Sequence, residues 1–367
     1  MEQYRILHVL GKLNRGGAET MVMNLYRNIN KEKFQFDFII HTDDVCEYTE
    51  EVLKLGGRIY SVPRYYFFNH LKYKKAWKEF FYNHKEYKII HGHVRSTASI
   101  YLKIAKKNRL TTISHSHSIS SGKGLAAIIK NIFQYRIRYI ADYFMGCSKK
   151  ANEWLFGKKV ANSEKCKVIK NGIEIEKFVF DFRVREEIRN KLKIENEDIV
   201  IGHVGRFSPE KNHQLIVEVF SKIYKKNNKY KLILIGGGPE KETVINRCKQ
   251  NNILNNVIFL ESISNIYDYL QAMDIFIMPS KYEGLGMALI EAQVSGLKCI
   301  ASNKIPAEAK ITDNVTFLEL DFNKWVEVIQ KCDIERKCES NQYIQEYDIN
   351  NVTKELEQFY LQIRREG

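Results

Sequence analysis

The sequence predicts an α/β protein made of two doubly wound, parallel-sheet domains. Short β-rich apolar runs alternate with longer helical stretches, at intervals of roughly 25–35 residues, as parallel sheets covered by helices require. The pattern runs through the chain twice. The length of 367 residues also exceeds what one hydrophobic core usually serves. We therefore expect two domains facing each other across a cleft, with ligands beyond the carboxyl ends of the strands.

The predicted strands fall into two groups. The first group comprises residues 5–10, 34–40, 58–62, 87–93, 110–115, 143–148 and 167–172. The second comprises residues 199–205, 231–238, 256–260, 274–280, 297–302 and 315–320. The charged, helical segment 173–197 separates the groups. We predict one domain over 1–175, a second over 176–340, and a C-terminal helix over 341–367 that packs back on the first domain.

Cysteine usage and hydropathy restrict the class of protein. The seven cysteines are scattered, odd in number and without CxxC spacing, which favours free thiols over a disulfide framework or a zinc site. The N-terminus lacks the long apolar run of a signal peptide. No run of about 18 apolar residues suggests a membrane-spanning helix. These features predict a cytoplasmic protein.

The net charge of +14 is concentrated in the first half of the chain. Residues 1–180 hold 32 Lys and Arg against 16 Asp and Glu, whereas residues 181–367 hold 26 against 28. A one-sided basic field attracts nucleic acid, anionic membranes or phosphate-bearing substrates, but a solvated lysine-rich surface explains it equally well. A nucleic-acid-binding protein would carry a recognisable module, and none is visible, so we expect no nucleic-acid partner.

Two segments of the second half carry candidate binding chemistry. In "GRFSPEKN", Arg206 and Lys211 follow a predicted strand, where two fixed cations can neutralise a diphosphate. In "YEGLGMALIEA", Glu283 lies in a glycine-rich turn and Glu291 lies on the helix that follows. The carboxylate of Glu291 suits the vicinal hydroxyls of a ribose. The backbone amides offered to a sugar or phosphate are those of Leu285, Gly286 and Met287.

A third candidate segment lies near the N-terminus. In "LGKLNRGGAET", Gly16 and Gly17 stand where a strand gives way to a helix. Amides at a helix N-terminus, approached closely because glycine has no side chain, suit a diphosphate. A glycine pair at such a place is also an ordinary turn. The segment is neither GxGxxG nor a P-loop.

"GRFSPEKN", "IGGGPE" and "EGLGMALIEA" resemble the hallmark segments of the retaining GT-B glycosyltransferases of glycosyltransferase family 4. Seven residues separate the paired glutamates of that family, as they separate Glu283 and Glu291. "GGAE", "VIKNGIEIEKF" and "ADYFMGCSKKA" also have counterparts there, so the resemblance covers nearly the whole chain. The segment "SNKIPAEAKITDNVTFLEL" is most similar to members that build bacterial capsular polysaccharides or exopolysaccharides.

The resemblance implies a role for each candidate residue. Arg206 and Lys211 would hold the donor diphosphate, Glu283 would contact the donor sugar, and Glu291 would bind the ribose. The amides of Leu285, Gly286 and Met287 would support sugar and phosphate, and Gly16 and Gly17 would contact the diphosphate from the first domain. The family also uses a histidine after a first-domain strand. Alignment by strand end favours His115 over His117 for that catalytic position. No metal or other cofactor is implied, because Arg and Lys replace a divalent ion.

The substrates implied are a nucleotide-diphosphate sugar, with UDP as the default, and a saccharide or polyprenyl-diphosphate-linked saccharide acceptor. Lys298 and the loop "SNKIPAEA" depart from the family pattern. The loop lies near the expected donor site, so the sugar is left open. Residues 64–81 interleave aromatic and basic side chains, which fits either an anionic membrane surface at the inner face of the cell membrane or a core-covering helix. The alternative enzyme classes are a non-hydrolysing epimerase and a phosphorylase.

Overall fold

The computed structural model describes residues 3–117 and 131–366, with side chains up to residue 364. The chain divides into two compact units, Met1–Gly172 with Glu346–Gly367, and Ile173–Gln345. The first unit thus combines the N-terminal half with the end of the chain. The boundaries predicted from the sequence are 175/176 and 340/341.

The first unit contains a parallel sheet of seven strands among the described residues, in the order β3-β2-β1-β4-β5-β6-β7. Its strands are Tyr4–Leu10 (β1), Phe34–Ile40 (β2), Ile59–Ser61 (β3), Ile89–Gly92 (β4), Thr111–Ser116 (β5), Tyr143–Gly146 (β6) and Cys166–Val168 (β7). Among the described residues, its α-helices are Gly17–Asn28 (α1), Thr49–Lys54 (α2), His70–Asn83 (α3), Arg95–Lys107 (α4), Lys149–Ala161 (α5) and the C-terminal helix Ile349–Glu366 (α14).

Both faces of this sheet are covered by apolar side chains. One cluster joins strand residues such as Phe36 to helix residues such as Tyr26 of α1 and Leu356 of α14. The other face packs against α3 and α4 through Trp77 and Tyr101. The C-terminal helix buries residues at a helical spacing, which is why it lies on the sheet of the first unit.

The second unit contains a parallel sheet of six strands, in the order β10-β9-β8-β11-β12-β13. Its strands are Ile199–Val204 (β8), Tyr230–Ile235 (β9), Val257–Leu260 (β10), Ile275–Met278 (β11), Lys298–Ser302 (β12) and Val315–Leu318 (β13). The α-helices are Ile175–Phe178 (α6), Phe182–Leu192 (α7), His213–Lys226 (α8), Lys241–Gln250 (α9), Ile266–Ala272 (α10), Met287–Val294 (α11), Phe322–Gln330 (α12) and Gln342–Gln345 (α13).

Every strand run predicted from the sequence overlaps an observed strand, and the predicted fold class is confirmed. In each unit the strand order reverses beside the first strand, between β1 and β4 and between β8 and β11. Loops that follow these neighbouring strands leave the sheet at the same edge, because the strands are parallel. This switch point is where open α/β sheets bind ligands.

Candidate active site

The second unit brings the two charged segments of the sequence together at its switch point. Strand β8 pairs with β11 in parallel register, Ile201 opposite Ile275. Arg206 and Lys211 lie in the loop after β8, and Glu283 lies in the loop after β11. The backbone N–H of Lys281 donates to the carbonyl of Glu210 over 2.7 Å, which joins the two loops.

Lys211 and Glu283 form a direct ion pair. The ammonium Nζ lies 2.5 Å from Oε1 of the carboxylate, and the two side chains are only 18% and 10% exposed. A charge-assisted hydrogen bond of this kind is shorter and stronger than a neutral one. The pair therefore holds both side chains in fixed positions at the strand edge, 72 residues apart in the sequence.

The glycines of "IGGGPE" shape the loop that carries Arg206. The N–H of Phe207 donates to the carbonyl of Gly237 over 2.9 Å, and Phe207 itself is fully buried. A Cβ on Gly236, whose φ is +148°, would lie 2.2 Å from the carbonyl oxygen of Gly205. The two backbones can approach only because this residue has no side chain. Arg206, next to the buried Phe207, is exposed and faces solvent.

The predicted helix begins as expected at Met287, with Gly286 as its N-cap at a φ of +87°. No heavy atom lies within 4 Å of where a Cβ on Gly284 would stand. The first N–H groups of a helix have no intrahelical acceptor, and the helix dipole favours negative charge there. The turn therefore presents an open, glycine-lined helix N-terminus beside Lys211.

Glu291 lies on the first turns of α11 and is half-buried. Desolvation by burial raises the pKa of its carboxyl group to about 7. Within the described part of the chain, no side chain donates a hydrogen bond to this carboxylate. A half-buried carboxyl group whose oxygens are uncommitted can accept hydrogen bonds from a diol, so its surroundings fit the predicted ribose contact.

In the first unit, Gly16 caps α1 with an extended φ of −135° and no side-chain cap. A Cβ on Gly16 would lie 2.4 Å from Oε2 of Glu19, whereas nothing lies within 4 Å of a Cβ on Gly17. Burial raises the pKa of the Glu19 carboxyl group. The predicted strand-to-helix junction is therefore present, with open space at the second glycine.

The first unit also contains a pocket of about 680 Å³. Its wall combines the charged side chains of Lys12, Glu19 and Arg64 with an aromatic series from Tyr65 to Phe68. Ser96 and Thr97 supply hydroxyl groups. Such a wall offers ring faces and cations together, which suits a sugar or a phosphate-bearing ligand.

Comparisons with known proteins decide the family. One family model, Glycosyltransferase Family 4, matches residues 15–177, and another, Glycosyl transferases group 1, matches residues 184–339. The protein named "Putative glycosyltransferase EpsF" of Bacillus subtilis (strain 168) is 34% identical to this chain, over 90% of this chain and 88% of EpsF. The chain belongs to glycosyltransferase family 4.

Further similarities extend over the whole transferase. The capsular polysaccharide biosynthesis glycosyltransferase CapH of Staphylococcus aureus is 26% identical over 97% of this chain and 98% of its own. The structure of Anabaena HepE in complex with UDP superposes with a TM-score of 0.79 at 17% identity, covering 98% of this chain and 100% of HepE. Sucrose-phosphate synthase from Thermosynechococcus elongatus gives 0.80 at 18% identity, covering all of both chains. These structures show that the transferase has the GT-B fold.

The structure separates the two candidate histidines. Strand β5 extends to Ser116, one residue beyond the predicted end, so His115 lies inside the strand and is fully buried. His117 follows the strand and is partly exposed. The strand-end argument that favoured His115 therefore applies better to His117, and the catalytic role of His115 remains a prediction.

Sequence reasoning missed how many histidines share this edge of the transferase. His8, His91 and His93 pack against His115 and His117, with ring centroids 4.3–5.3 Å apart. The alternation in "HGH" and "SHSH" was the available signal, because residues two apart on a strand share a face.

The 64–81 segment fits both interpretations that the sequence left open. On α3, Tyr73, Trp77 and two phenylalanines are buried in the core. Before and at the start of α3, Phe67, Phe68 and Leu71 are 63%, 89% and 80% exposed. Across the described residues, no helix is long and apolar enough to cross a membrane.

Proposed function

We propose that this transferase is a retaining hexosyltransferase that moves a sugar from a UDP-sugar to a saccharide or polyprenyl-diphosphate-linked saccharide in capsular polysaccharide or exopolysaccharide synthesis. One observation carries the proposal: Arg206, the Lys211–Glu283 pair and Glu291 follow or flank adjacent strands at one switch point. CapH is named as a glycosyltransferase of capsular polysaccharide biosynthesis, and the structure of HepE was determined in complex with UDP. These names support the substrate class.

The proposed chemistry follows from charge. A leaving nucleoside diphosphate gains negative charge while the sugar gains oxocarbenium character, so cations beside the phosphates stabilise the transition state more than the ground state. In the proposal, Arg206 and Lys211 supply these cations, and Glu283 accepts hydrogen bonds from the donor sugar. Transfer then requires no divalent ion, and chelation with EDTA should leave its rate unchanged.

We assign no covalent nucleophile. In the proposal the acceptor hydroxyl attacks on the face that the diphosphate leaves, and the leaving phosphate oxygen takes the hydroxyl proton. The configuration at the anomeric carbon is thereby retained. The amides of Leu285, Gly286 and Met287 support the donor from the second unit, and Gly16 and Gly17 are the proposed diphosphate contacts of the first unit. Proton NMR of the first-formed product checks retention, and an inverted anomer contradicts this mechanism.

The decisive experiment is calorimetric titration of the full chain with UDP, GDP and ADP. We expect UDP to bind and the other two to bind more weakly. Arg206→Ala and Glu291→Ala should each weaken UDP binding, whereas Arg247→Ala, a surface arginine on α9, should bind as wild type. Equal UDP binding by wild type and both site variants would contradict the proposed donor site. Release of an epimer or a sugar phosphate, instead of a glycosylated acceptor, would contradict the proposed transfer and support an epimerase or a phosphorylase.

The proposed acceptor site is the pocket of the first unit. Lys12 and Arg64 offer cations for a diphosphate, and the aromatic wall offers ring faces for sugars or for an isoprenoid chain. We propose that exposed Phe67, Phe68 and Leu71 contact an anionic membrane surface, so that the enzyme acts from the cytoplasmic face.

Liposome co-sedimentation tests this contact. We expect the chain to sediment with anionic vesicles at low salt and the double variant Phe67→Ser/Phe68→Ser to stay in solution. Tyr82→Ser alters an aromatic residue that is 76% exposed elsewhere on α3, and it should sediment as wild type. Wild-type protein that stays in the supernatant would contradict membrane contact.

A further inference from the structure

Five of the ten histidines of the chain meet at one edge of the first sheet. This histidine cluster consists of His8 from β1, His91 and His93 at the end of β4, and His115 and His117 at the end of β5. His8 is the register partner of His91, and β4 pairs with β5 alongside. The five rings therefore share one face of three adjacent strands.

The rings form two hydrogen-bonded chains. In the first chain, Nδ1 of His8 lies 2.9 Å from Nε2 of His93, and Nδ1 of His93 lies 2.7 Å from Nε2 of His117. A neutral imidazole has one donor and one acceptor nitrogen. The choice of donor and acceptor in one hydrogen bond determines the choice in the next. One end of the chain is therefore an N–H group and the other a nitrogen without a proton. Both ends, Nε2 of His8 and Nδ1 of His117, are buried without a hydrogen-bond partner among the described residues.

In the second chain, the hydroxyl of Tyr360 lies 2.7 Å from Nδ1 of His91, and Nε2 of His91 lies 3.1 Å from Nδ1 of His115. This chain ends at Nε2 of His115, which is also buried and has no partner in the described structure. An unsatisfied buried polar group costs about 1–3 kcal/mol. Three such nitrogens in one cluster are available to bind a further ligand.

We propose that His93, His115 and His117 bind one transition-metal ion of the zinc class. One nitrogen from each of the three lies within 4.8 Å of one nitrogen from the other two. Imidazole suits zinc, copper, nickel and cobalt, and three histidines with one open position form a known type of zinc site. His8, His91 and His93 meet the same distance criterion but are all buried, whereas the chosen triad includes the partly exposed His117.

The remaining members of the cluster are placed to support the ligands. When Nε2 of His115 binds the ion, its Nδ1–H donates to His91, and the Nδ1–H of His91 donates to the oxygen of Tyr360. When Nδ1 of His93 binds the ion, its Nε2–H donates to Nδ1 of His8. Metal-binding histidines almost always donate their second N–H in this way. The unpaired Nε2 of His115 is thereby satisfied.

Binding also requires a small rearrangement. The rings of His115 and His117 are stacked, with centroids 4.3 Å apart and planes 11° apart, so their lone pairs do not yet converge. Rotation of the His117 ring at the partly exposed strand end breaks its hydrogen bond to Nδ1 of His93 and brings a third nitrogen toward the ion. A water or another oxygen completes the four-coordinate site, as in zinc sites built from three histidines.

This proposal does not rest on the proposed function, and no step of transfer is routed through the ion. It replaces the catalytic role that the family resemblance implies for His115, because both ring nitrogens of His115 are then occupied. The test is calorimetric titration of the metal-free full chain with Zn²⁺, together with visible absorption on adding Co²⁺. We expect one ion per chain and the intense d–d bands of four-coordinate cobalt. His117→Asn should weaken Zn²⁺ binding at least about 10-fold, as even loss of a supporting group does.

His84→Gln is the matched control, because His84 belongs to the same unit but lies outside the cluster, next to Glu86. It should bind Zn²⁺ as wild type. Wild-type protein without stoichiometric Zn²⁺ binding, or an octahedral cobalt spectrum, overturns the proposal. Equal affinity in wild type and His117→Asn does so as well. Should His117→Asn lose its fold by circular dichroism, the wild-type stoichiometry and cobalt spectrum still decide.

Discussion

Each unit places a fully buried histidine at the fifth residue of its first strand, His8 in β1 and His203 in β8. In the second unit, Nδ1 of His203 bonds to the backbone carbonyl of Ile277 over 2.9 Å. In the first unit, Nδ1 of His8 bonds to His93, which bonds to His117. The histidine at this strand position thus bonds to a backbone carbonyl in the second unit, whereas in the first unit it begins a chain of hydrogen-bonded side chains.

The loops beyond these histidines differ in charge. The second unit adds Arg206, Lys211 and Glu283, so its switch point is ionic, with a paired cation and carboxylate. The switch point of the first unit is lined by imidazoles whose pKa values are lowered by burial, to about 3 for His8 and His117. The two sheets share the same pattern of strand order but support different chemistry, because the residues that follow the strands determine what is bound.

The largest expected effect is the loss of folding stability at acidic pH. In the histidine cluster, burial lowers the pKa of all five imidazoles, whereas in the second unit it lowers those of His203 and His213. The unfolded chain binds more protons than the folded one below about pH 6.5, so stability is lost as the pH falls. Each fully shifted histidine costs up to about 1.4 kcal/mol per pH unit.

Hydrogen exchange resolved by residue measures this difference. Between pH 7 and pH 5.5 we expect the amides of the first sheet to lose several kcal/mol of protection and those of the second sheet to lose less. Equal losses of amide protection in both sheets would contradict the prediction that the first unit, with more buried imidazoles, is the more sensitive to acid.

The next largest effect concerns the ion pair. Lys211→Ala removes the partner of a carboxylate that is only 10% exposed and, in the proposed mechanism, a phosphate contact. Loss of one charge-assisted hydrogen bond costs about 1.5–3 kcal/mol, so UDP affinity should fall roughly 10- to 150-fold. Lys331→Ala, which breaks an exposed pair with Glu327, is the matched control and should bind UDP normally. Unchanged affinity in Lys211→Ala would remove this residue from the site.

The glycines give a third contrast between the units. Gly236→Ala would put a Cβ against the Gly205 carbonyl at a positive φ, whereas Gly17→Ala meets open space at the start of α1. We expect the first change to lower the free energy of unfolding by about 1–3 kcal/mol. The second should leave it unchanged or raise it by a few tenths up to about 1 kcal/mol. Urea denaturation measures both, and equal destabilisation would show that Gly236 is not specially constrained.

Local patterns predicted most of this molecule. The short apolar runs predicted the strands, and the glycine before Met287 predicted the start of α11. The alternation in "HGH" and "SHSH" places two histidines on one face of each strand, but the assembly of all five depends on the register that sets His8 beside His91. The Lys211–Glu283 pair likewise joins loops that are distant in sequence. Glu291 was found by its spacing from Glu283, but its raised pKa depends on the packing around α11.

A pH dependence is also expected at Glu291, which distinguishes the ionic switch point from the histidine one. Burial raises its pKa from the usual 4.5 to about 7, so ionisation costs stability that is progressively lost above pH 4.5 and fully lost above about pH 7. Glu291→Gln should therefore raise the free energy of unfolding at pH 8 and change it little at pH 4.5.

Ligand binding should depend on the same proton. An ionised carboxylate accepts both hydroxyl protons of a ribose diol, whereas the protonated form offers one acceptor fewer. UDP affinity of the wild type should rise a few-fold from pH 6 to pH 8, since about one pKa unit separates either pH from the midpoint. In Glu291→Gln the affinity should be lower and its rise over this range smaller. Calorimetry at three pH values tests this, and an identical rise in both proteins would assign the titrating group elsewhere, to the second phosphate ionisation of UDP itself or to a histidine.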